Sequence, residues 1–405
     1  MAVEILKMKK IKAFFVILGF AAASASAVEI APYYNYQLSQ GLSVSPDGDL
    51  GFLLNLSNDI GTIVQPMQDH RFIGYYSIRY QGPGLKRQEG RRFRERYINH
   101  IFATRHHWNI ADDMTLKSQM SVLLERRRSG TNETWQSGLY NFNRYGGSTS
   151  LEKEMFGIDS TLSLGYHFIS FPNYSDLLSE LREGADAGAT EGTQNHHSLR
   201  LGYSGSLNFY RFSIALNPLF YTKQKVAVDR AQKDGSFYSD TRQRELIINA
   251  SGSRAFLLSQ SAIVAPELKL KYKNSNQNYQ HFEYAASTKP VKFFDNYFDY
   301  IEPSVSLPLS LKLSDDWTYF FSPSLTYRQY INRTPRDSEG DFIDGKKQNR
   351  LLGIHSTGFK KQTGESSSTT LFFTYQHQSS NMKFERYLPY NYDGFSMGLR
   401  FQMEY

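Results

Sequence analysis

The chain has 405 residues, 28 Tyr, 29 Phe, no Cys and a formal net charge of +7. The missing Cys excludes thiolate metal sites, Cys nucleophiles and a disulfide framework, and it suits passage through an oxidising compartment. Mean hydropathy is −0.50, and beyond the N-terminal stretch no run reaches the ~18 apolar residues of a membrane helix.

Lys7, Lys9, Lys10 and Lys12 precede an apolar stretch from Ala13 to Ala23, and Ala25-Ser26-Ala27 has the small-x-small form of a signal-peptidase site. Residues 1–27 therefore read as a secretory signal, with Val28 first in the mature chain. The apolar stretch is too short to span a bilayer as a helix, and without Cys there is no acceptor for a lipid. The leader holds four Lys and one Glu, a net +3, which leaves +4 on the mature chain. That charge calls for no nucleic-acid partner. Residues 28–69 are the hardest to read. A strand suits 33–44 and a turn suits Pro46-Asp47-Gly48-Asp49, but Leu50 to Leu56 is apolar with poor alternation. The segment is either the first strands or a piece tucked at or inside the rest of the fold.

From residue 70 a period-two rhythm sets in. Strand windows run at about 71–81, 94–108, 114–127, 138–152, 160–171, 197–209, 211–223, 241–253, 261–273, 297–312, 317–331, 348–360, 367–378 and 393–405. The connections alternate between short turns and longer polar loops, the parity of an up-and-down barrel. Leu199, Leu201, Tyr203, Leu207 and Phe209 share one face of their strand, opposite Ser198, Arg200, Gly202, Ser204 and Ser206. Pro218, Pro266, Pro303, Pro308 and Pro323 each remove a ladder donor, which predicts bulges or strand ends there. The expected fold is all-β, an antiparallel up-and-down barrel over 70–405. It has about 14 strands, or 16 if residues 33–57 supply two.

The last eleven residues carry the clearest alternation. Phe395, Met397, Leu399, Phe401, Met403 and Tyr405 are apolar, and Ser396, Gly398, Arg400, Gln402 and Glu404 lie between them. A strand tilted through an outer membrane needs about 9–11 residues with this pattern. The stretch resembles the C-terminal insertion signal of Gram-negative outer-membrane β-barrels, an aromatic last residue preceded by alternating apolar positions. The resemblance is to the class and points to no single family. It implies recognition by the barrel-assembly machinery, an outer-membrane location, and contact with lipid and lipopolysaccharide. Such barrels host pores, transporters, enzymes and adhesins. A porin-like channel for small hydrophilic, partly anionic solutes is the first expectation. An export or assembly barrel for polysaccharide, lipid or a surface protein is the alternative, and a structural or adhesive barrel the third.

If the apolar faces meet lipid, the polar faces line a lumen. Lys117, Arg127, Arg200, Arg211, Lys269, Lys271, Lys273, Arg328 and Arg400 would lie there, with Arg79, His167 and Lys223, against Glu125, Glu245, Glu267, Glu302 and Glu404. Cations outnumber carboxylates, which favours anions in a pore. Lys269, Lys271 and Lys273 form the densest row, and Glu267 can neutralise at most one of them. Mutually paired charges in a narrow or plugged barrel are the plainer reading. The basic segment 86–96 and Arg126-Arg127-Arg128 fall at outer loops, suited to lipid head groups or to solvent.

Catalysis is poorly supported. His196-His197-Ser198 and His355-Ser356 bring hydrolase residue types together, but adjacent strand residues face opposite ways and form no dyad. Acidic residues 337–344 offer hard oxygen ligands, yet their spacing is not that of an EF-hand, and a solvated loop is the expectation. Leu177, Leu178 and Leu181 have helical spacing within the loop 172–195. No cofactor and no metal is implied.

Overall fold

A computed structural model describes residues 28–44, 50–83, 95–129, 133–174, 192–233, 236–281, 292–385 and 389–405. The signal segment, most of the basic segment 86–96 and the leucines at 177, 178 and 181 lie outside these residues. The first ten strands are β1 (Glu29–Val44), β2 (Leu50–Met67), β3 (His70–Gly82), β4 (Arg96–Ala111), β5 (Met114–Arg128), β6 (Phe142–Met155), β7 (Ile158–Ser170), β8 (His196–Leu207), β9 (Tyr210–Ala227) and β10 (Tyr238–Arg254). Shorter segments follow: β11 (Phe256–Leu257), β12 (Ala262–Val264), β13 (Glu267–Ser275), β14 (Tyr279–His281), β15 (Lys292–Phe294), β16 (Tyr300–Ser306) and β17 (Leu309–Lys312). The chain ends with β18 (Trp317–Tyr330), β19 (Asn349–Gly364), β20 (Ser367–Ser380) and β21 (Tyr392–Glu404).

Nineteen of these segments form one antiparallel sheet that closes on itself, and β14–β15 is a separate hairpin. Three staves are interrupted: β10/β11 at Ala255, β12/β13 at Pro266 and β16/β17 at Pro308. Counted once each, they bring the nineteen segments to sixteen staves. The barrel thus has 16 strands, the second of the two expected counts and not the first of about 14, and it begins at Glu29 rather than near residue 70. Residues 28–69 supply β1 and β2, which pair from Glu29↔Gln65 to Val44↔Leu50.

The two expected breaks at Pro266 and Pro308 occur because a missing N–H interrupts the ladder. Pro218, Pro303 and Pro323 instead sit inside strands, opposite Leu246, Leu270 and His355. Each keeps its pairing on one side, and the bridges of β16 with β18 skip Glu302 and Pro303.

The seam joins the two ends of the chain. β1 runs antiparallel to β21 from Asn35↔Glu404 to Val44↔Phe395. Beyond that ladder the Tyr34 N–H donates to the Tyr405 carbonyl at 2.9 Å, and the Tyr405 N–H to the Tyr34 carbonyl at 2.8 Å. Closure removes the exposed sheet edge. At the seam Gly41 faces Gly398. A Cβ on Gly41 would stand 2.0 Å from the Met397 carbonyl oxygen, and one on Gly398 2.3 Å from that of Gln40. Small residues let the two terminal strands approach.

Loop parity holds around the ring. Two-residue turns join β2 to β3, β4 to β5, β6 to β7, β8 to β9 and β19 to β20. In one of them Phe156 (φ 57°) and Gly157 (φ 75°) both take the left-handed conformation, as a type I′ hairpin turn requires. The first described strand begins, and the last ends, at this short-turn end.

Following the paired positions from strand to strand gives one consistent inner row and one outer row. Inner residues such as Ser39, Asp59, Ser77, Ser121 and Glu245 are buried, whereas the outer Leu162, Leu201, Ile214, Leu268, Val305 and Leu399 are exposed. Polar groups thus face in and greasy ones out, the inverse of a water-soluble barrel. Outer aromatics gather near both ends of the staves. Trp108, Phe212, Trp317 and Phe359 lie toward the short turns, and Tyr145, Tyr166, Tyr327 and Tyr375 toward the long loops. Among the described residues the inner wall has one buried apolar cluster, Ile73, Tyr75, Ile101, Ala103 and Leu123, with Tyr33, Ile63 and Phe142 packed against them.

Candidate functional site

The inner wall carries the chemistry. Strand alternation presents Glu267, Lys269, Lys271 and Lys273 along the inner face of β13, because the outward partners Leu268, Leu270 and Tyr272 face the other way. The neighbours in register decide which of these charges are spent. Lys269 Nζ is 2.8 Å from Glu267, and Lys273 Nζ is 2.9 Å from Glu245 on β10. The Glu245 side chain is only 4% exposed and that of Lys273 18%, so the carboxylate of this pair is buried under its lysine. The row is therefore less cationic than expected, since two of its three lysines are neutralised.

Lys271 differs. It lies opposite Asn249 on one side and Glu302 on the other. The Glu302 carboxylate is already engaged: Arg328 Nε donates to it at 2.5 Å, and Arg350 Nη2 stands 3.6 Å away. No carboxylate lies within ion-pair distance of Lys271 among the described residues, and its Nζ is 5.7 Å from the Tyr300 ring centre. Arg328 is held more firmly, with its guanidinium 4.2 Å from the Tyr300 ring and Nη1 3.4 Å from the Tyr330 hydroxyl.

The remaining expected lumen residues all fall on the inner row except Lys223. It lies where β9 and β10 slip register between Phe220↔Arg244 and Lys225↔Arg242, so the ladder does not place it. Lys117 pairs with Glu152 at 2.7 Å, and Arg127 with Glu125 at 3.0 Å and Glu95 at 3.2 Å. Arg400 donates from Nε to Ser39 Oγ at 3.2 Å across the seam. Arg79 and Arg200 have no carboxylate partner among the described residues. Neither does Arg211, which borders a recess of about 550 Å³ near the short-turn end with Asp159, Glu267, Ser204, Ser206, Ser213 and Ser251.

Among the inner charged residues that went unnoticed in the sequence are Asp59, Arg105, Arg144 and Arg350. Arg105 donates from Nη2 to the Tyr75 hydroxyl at 2.9 Å and from Nε to Gln119 Oε1 at 3.2 Å. The available signal was parity alone: Arg350 lies two residues before Leu352 and four before Ile354, both also on the inner face.

The histidine–serine runs separate as alternation requires. His197 faces out, with Nδ1 2.8 Å from the Tyr166 hydroxyl, while His196 faces in and bonds the Gln194 carbonyl at 2.8 Å. His355 stacks on outward Tyr375, whereas Ser356 Oγ is 3.1 Å from Thr374 Oγ1 inside. Neither run brings a histidine against its own serine. In the acidic loop, Asp337 Oδ1 accepts the N–H groups of Glu339, Gly340 and Asp341 at 2.9–3.0 Å. Asp344 pairs with Lys292 at 3.4 Å. These carboxylates shape the loop. Above the barrel wall Asp299 accepts the Ser275 N–H at 2.6 Å, and burial still pushes its carboxyl above the ordinary aspartate range.

No protein-family model matches the chain. No curated relative matches it either. Among solved structures it is similar to an anion-selective porin from Comamonas acidovorans at 8% identity and a TM-score of 0.47, over 93% of this chain and 100% of that one. A loop L8 deletion mutant of OmpT, an outer membrane protein of Vibrio cholerae, aligns at 10% identity and 0.43, over 93% and 100%. A bacterial polysaccharide outer membrane secretin aligns at 10% and 0.44, over 92% and 98%. Likeness this distant carries no activity from any of them to this chain.

Proposed function

We propose that this chain is an outer-membrane pore for small hydrophilic solutes, with a lumen that favours anions. Export by residues 1–27 and insertion through the alternating strand 395–405 would deliver it there, with lipopolysaccharide and lipid around the outer aromatic bands. One observation carries the reading. A closed sixteen-stave wall turns its polar face inward, and the cations Lys271, Arg79, Arg200 and Arg211 on that face have no carboxylate partner among the described residues. Unpaired wall charge sets the sign of the ion that accumulates in an aqueous lumen. The paired lysines Lys269 and Lys273 contribute little, because each shares its field with a carboxylate.

The test is purified, folded protein in a planar bilayer under a salt gradient. A conducting trace with an anion-directed reversal potential supports the reading. A cation-directed potential refutes the anion preference. A closed bilayer, with a periplasmic protein co-purifying, refutes the pore and favours an export or assembly barrel.

A further inference from the structure

One inner rung of the barrel is built unlike the rest. Asn249, Lys271, Glu302, Arg328 and Arg350 stand side by side across β10, β13, β16, β18 and β19, joined through the pairs Asn249↔Lys271, Lys271↔Glu302 and Arg328↔Arg350. Three cations surround one carboxylate, a net +2 on a single level of the wall. Lys273, two residues along the same strand, comes with its own acid in Glu245. Here Glu302 is consumed by Arg328 at 2.5 Å, which fixes that guanidinium against Tyr300. Arg350 stays 3.6 Å from the carboxylate, beyond hydrogen-bonding distance, with 29% of its side chain exposed to the lumen. Its guanidinium N–H groups have no hydrogen-bond acceptor among the described residues, and the Lys271 ammonium stands 5.7 Å from the Tyr300 ring centre with no carboxylate in ion-pair reach among those residues.

Lys271 and Arg350 are separated by three strand spacings of about 4.8 Å each, on a concave wall that turns long side chains toward one another. Guanidinium forks suit the oxygens of phosphate and carboxylate, and an ammonium adds a mobile point charge. We infer that this rung is a binding station for a small dianion of the phosphate type, held between Lys271 and Arg350 over the fixed Arg328. The inference rests on the anion-favouring reading above and names the solute class it selects. Two charges on the solute match the +2 of the rung, whereas chloride leaves half of it unmet.

The probe is inorganic phosphate, titrated calorimetrically into the folded, detergent-solubilised barrel at low ionic strength and mildly alkaline pH, where phosphate is mainly a dianion. Wild type is expected to bind phosphate in preference to chloride. Lys271→Gln with Arg350→Gln should raise the dissociation constant at least about tenfold, because two close charges are lost. Glu302→Gln should act in the opposite direction and tighten binding. Lys153→Gln, which removes one positive charge from the outer face, should leave it unaltered. Heat-modifiable gel mobility identifies any variant that has not folded. A flat phosphate titration of wild type overturns the station, and so does binding that survives the double substitution. Anion-directed conductance with a flat titration keeps the pore and removes the station. Phosphate binding without conductance does the reverse.

Discussion

Lys271 is expected to contribute more to selectivity than its two neighbours on β13. Lys271→Gln removes one positive charge that no carboxylate balances. A passing anion within about 4 Å of a unit charge gains about 1 kcal/mol even at the dielectric constant of water. At 1.4 kcal/mol per decade that is about a fivefold local accumulation. The contrast is the double substitution Glu267→Gln with Lys269→Gln. It deletes an ion pair whose members lie 2.8 Å apart and leaves the wall charge unchanged. Reversal potentials across a salt gradient in planar bilayers should move toward cations for Lys271→Gln and stay put for the pair deletion. Raising the salt should shrink the shift, since the screening length falls from about 10 Å at 0.1 M to 3 Å at 1 M. Replacing all three lysines with Glu should give the largest change, again mostly at low salt. Lys273→Gln is a poor probe, because it strands Glu245, which is 4% exposed. Breaking a buried pair this way costs about 3–5 kcal/mol. If Lys271→Gln and the pair deletion move the reversal potential equally, unpaired wall charge is not what sets selectivity.

Three further outcomes follow from the same geometry. Leu201→Arg should block assembly and Ser204→Arg should not, read by heat-modifiable gel mobility. Leu201 is 51% exposed on the outer face, where a midplane Arg costs about 2–4 kcal/mol, and Ser204 faces the polar recess beside Arg211; equal tolerance would reverse the face assignment. Secreted material should begin at Val28 by N-terminal sequencing, and a mature chain retaining Lys7–Lys12 would defeat the export reading. In the loop between β20 and β21, Glu385 Oε1 accepts the Asn391 side-chain amide at 2.7 Å and the N–H groups of Tyr390 and Asn391 at 3.0 and 2.7 Å. These bonds, the side-chain one foremost, hold its carboxyl below the ordinary glutamate range. Its contribution to loop order is therefore complete above the unfolded glutamate pKa and lost as pH falls through the lowered folded value; an NMR titration of Glu385 midway in the ordinary range would contradict the bonding.

How much of this the sequence discloses depends on the contrast between the two faces of each strand. In β8 and β13 the contrast is sharp, Leu against Ser or Lys, and the faces read from the sequence are those of the barrel. In β1 and β2 it fades, because Tyr33 and Ile63 pack against the buried apolar cluster of the inner wall. With both faces greasy, a period of two leaves no trace in hydropathy, and 28–69 reads as ambiguous although it supplies two full staves. Charge pairing is hidden for a different reason. Lys273 and Glu245 meet because β10 and β13 run at one particular stagger, and stagger belongs to the closed sheet rather than to either strand. Parity alone placed Lys271 on the inner face; only the register shows that its neighbour Glu302 is already taken by Arg328. The seam was more legible than it looked. Gln37, Ser39, Gly41 and Ser43 on β1 face Gln402, Arg400, Gly398 and Ser396 on β21, nearly the same polar series read in opposite directions. Two terminal segments sharing a small, polar inner row, with Gly opposite Gly where the backbones crowd, are suited to zip together; the ambiguous reading of 28–69 made no use of that match, whose register only the closed sheet shows.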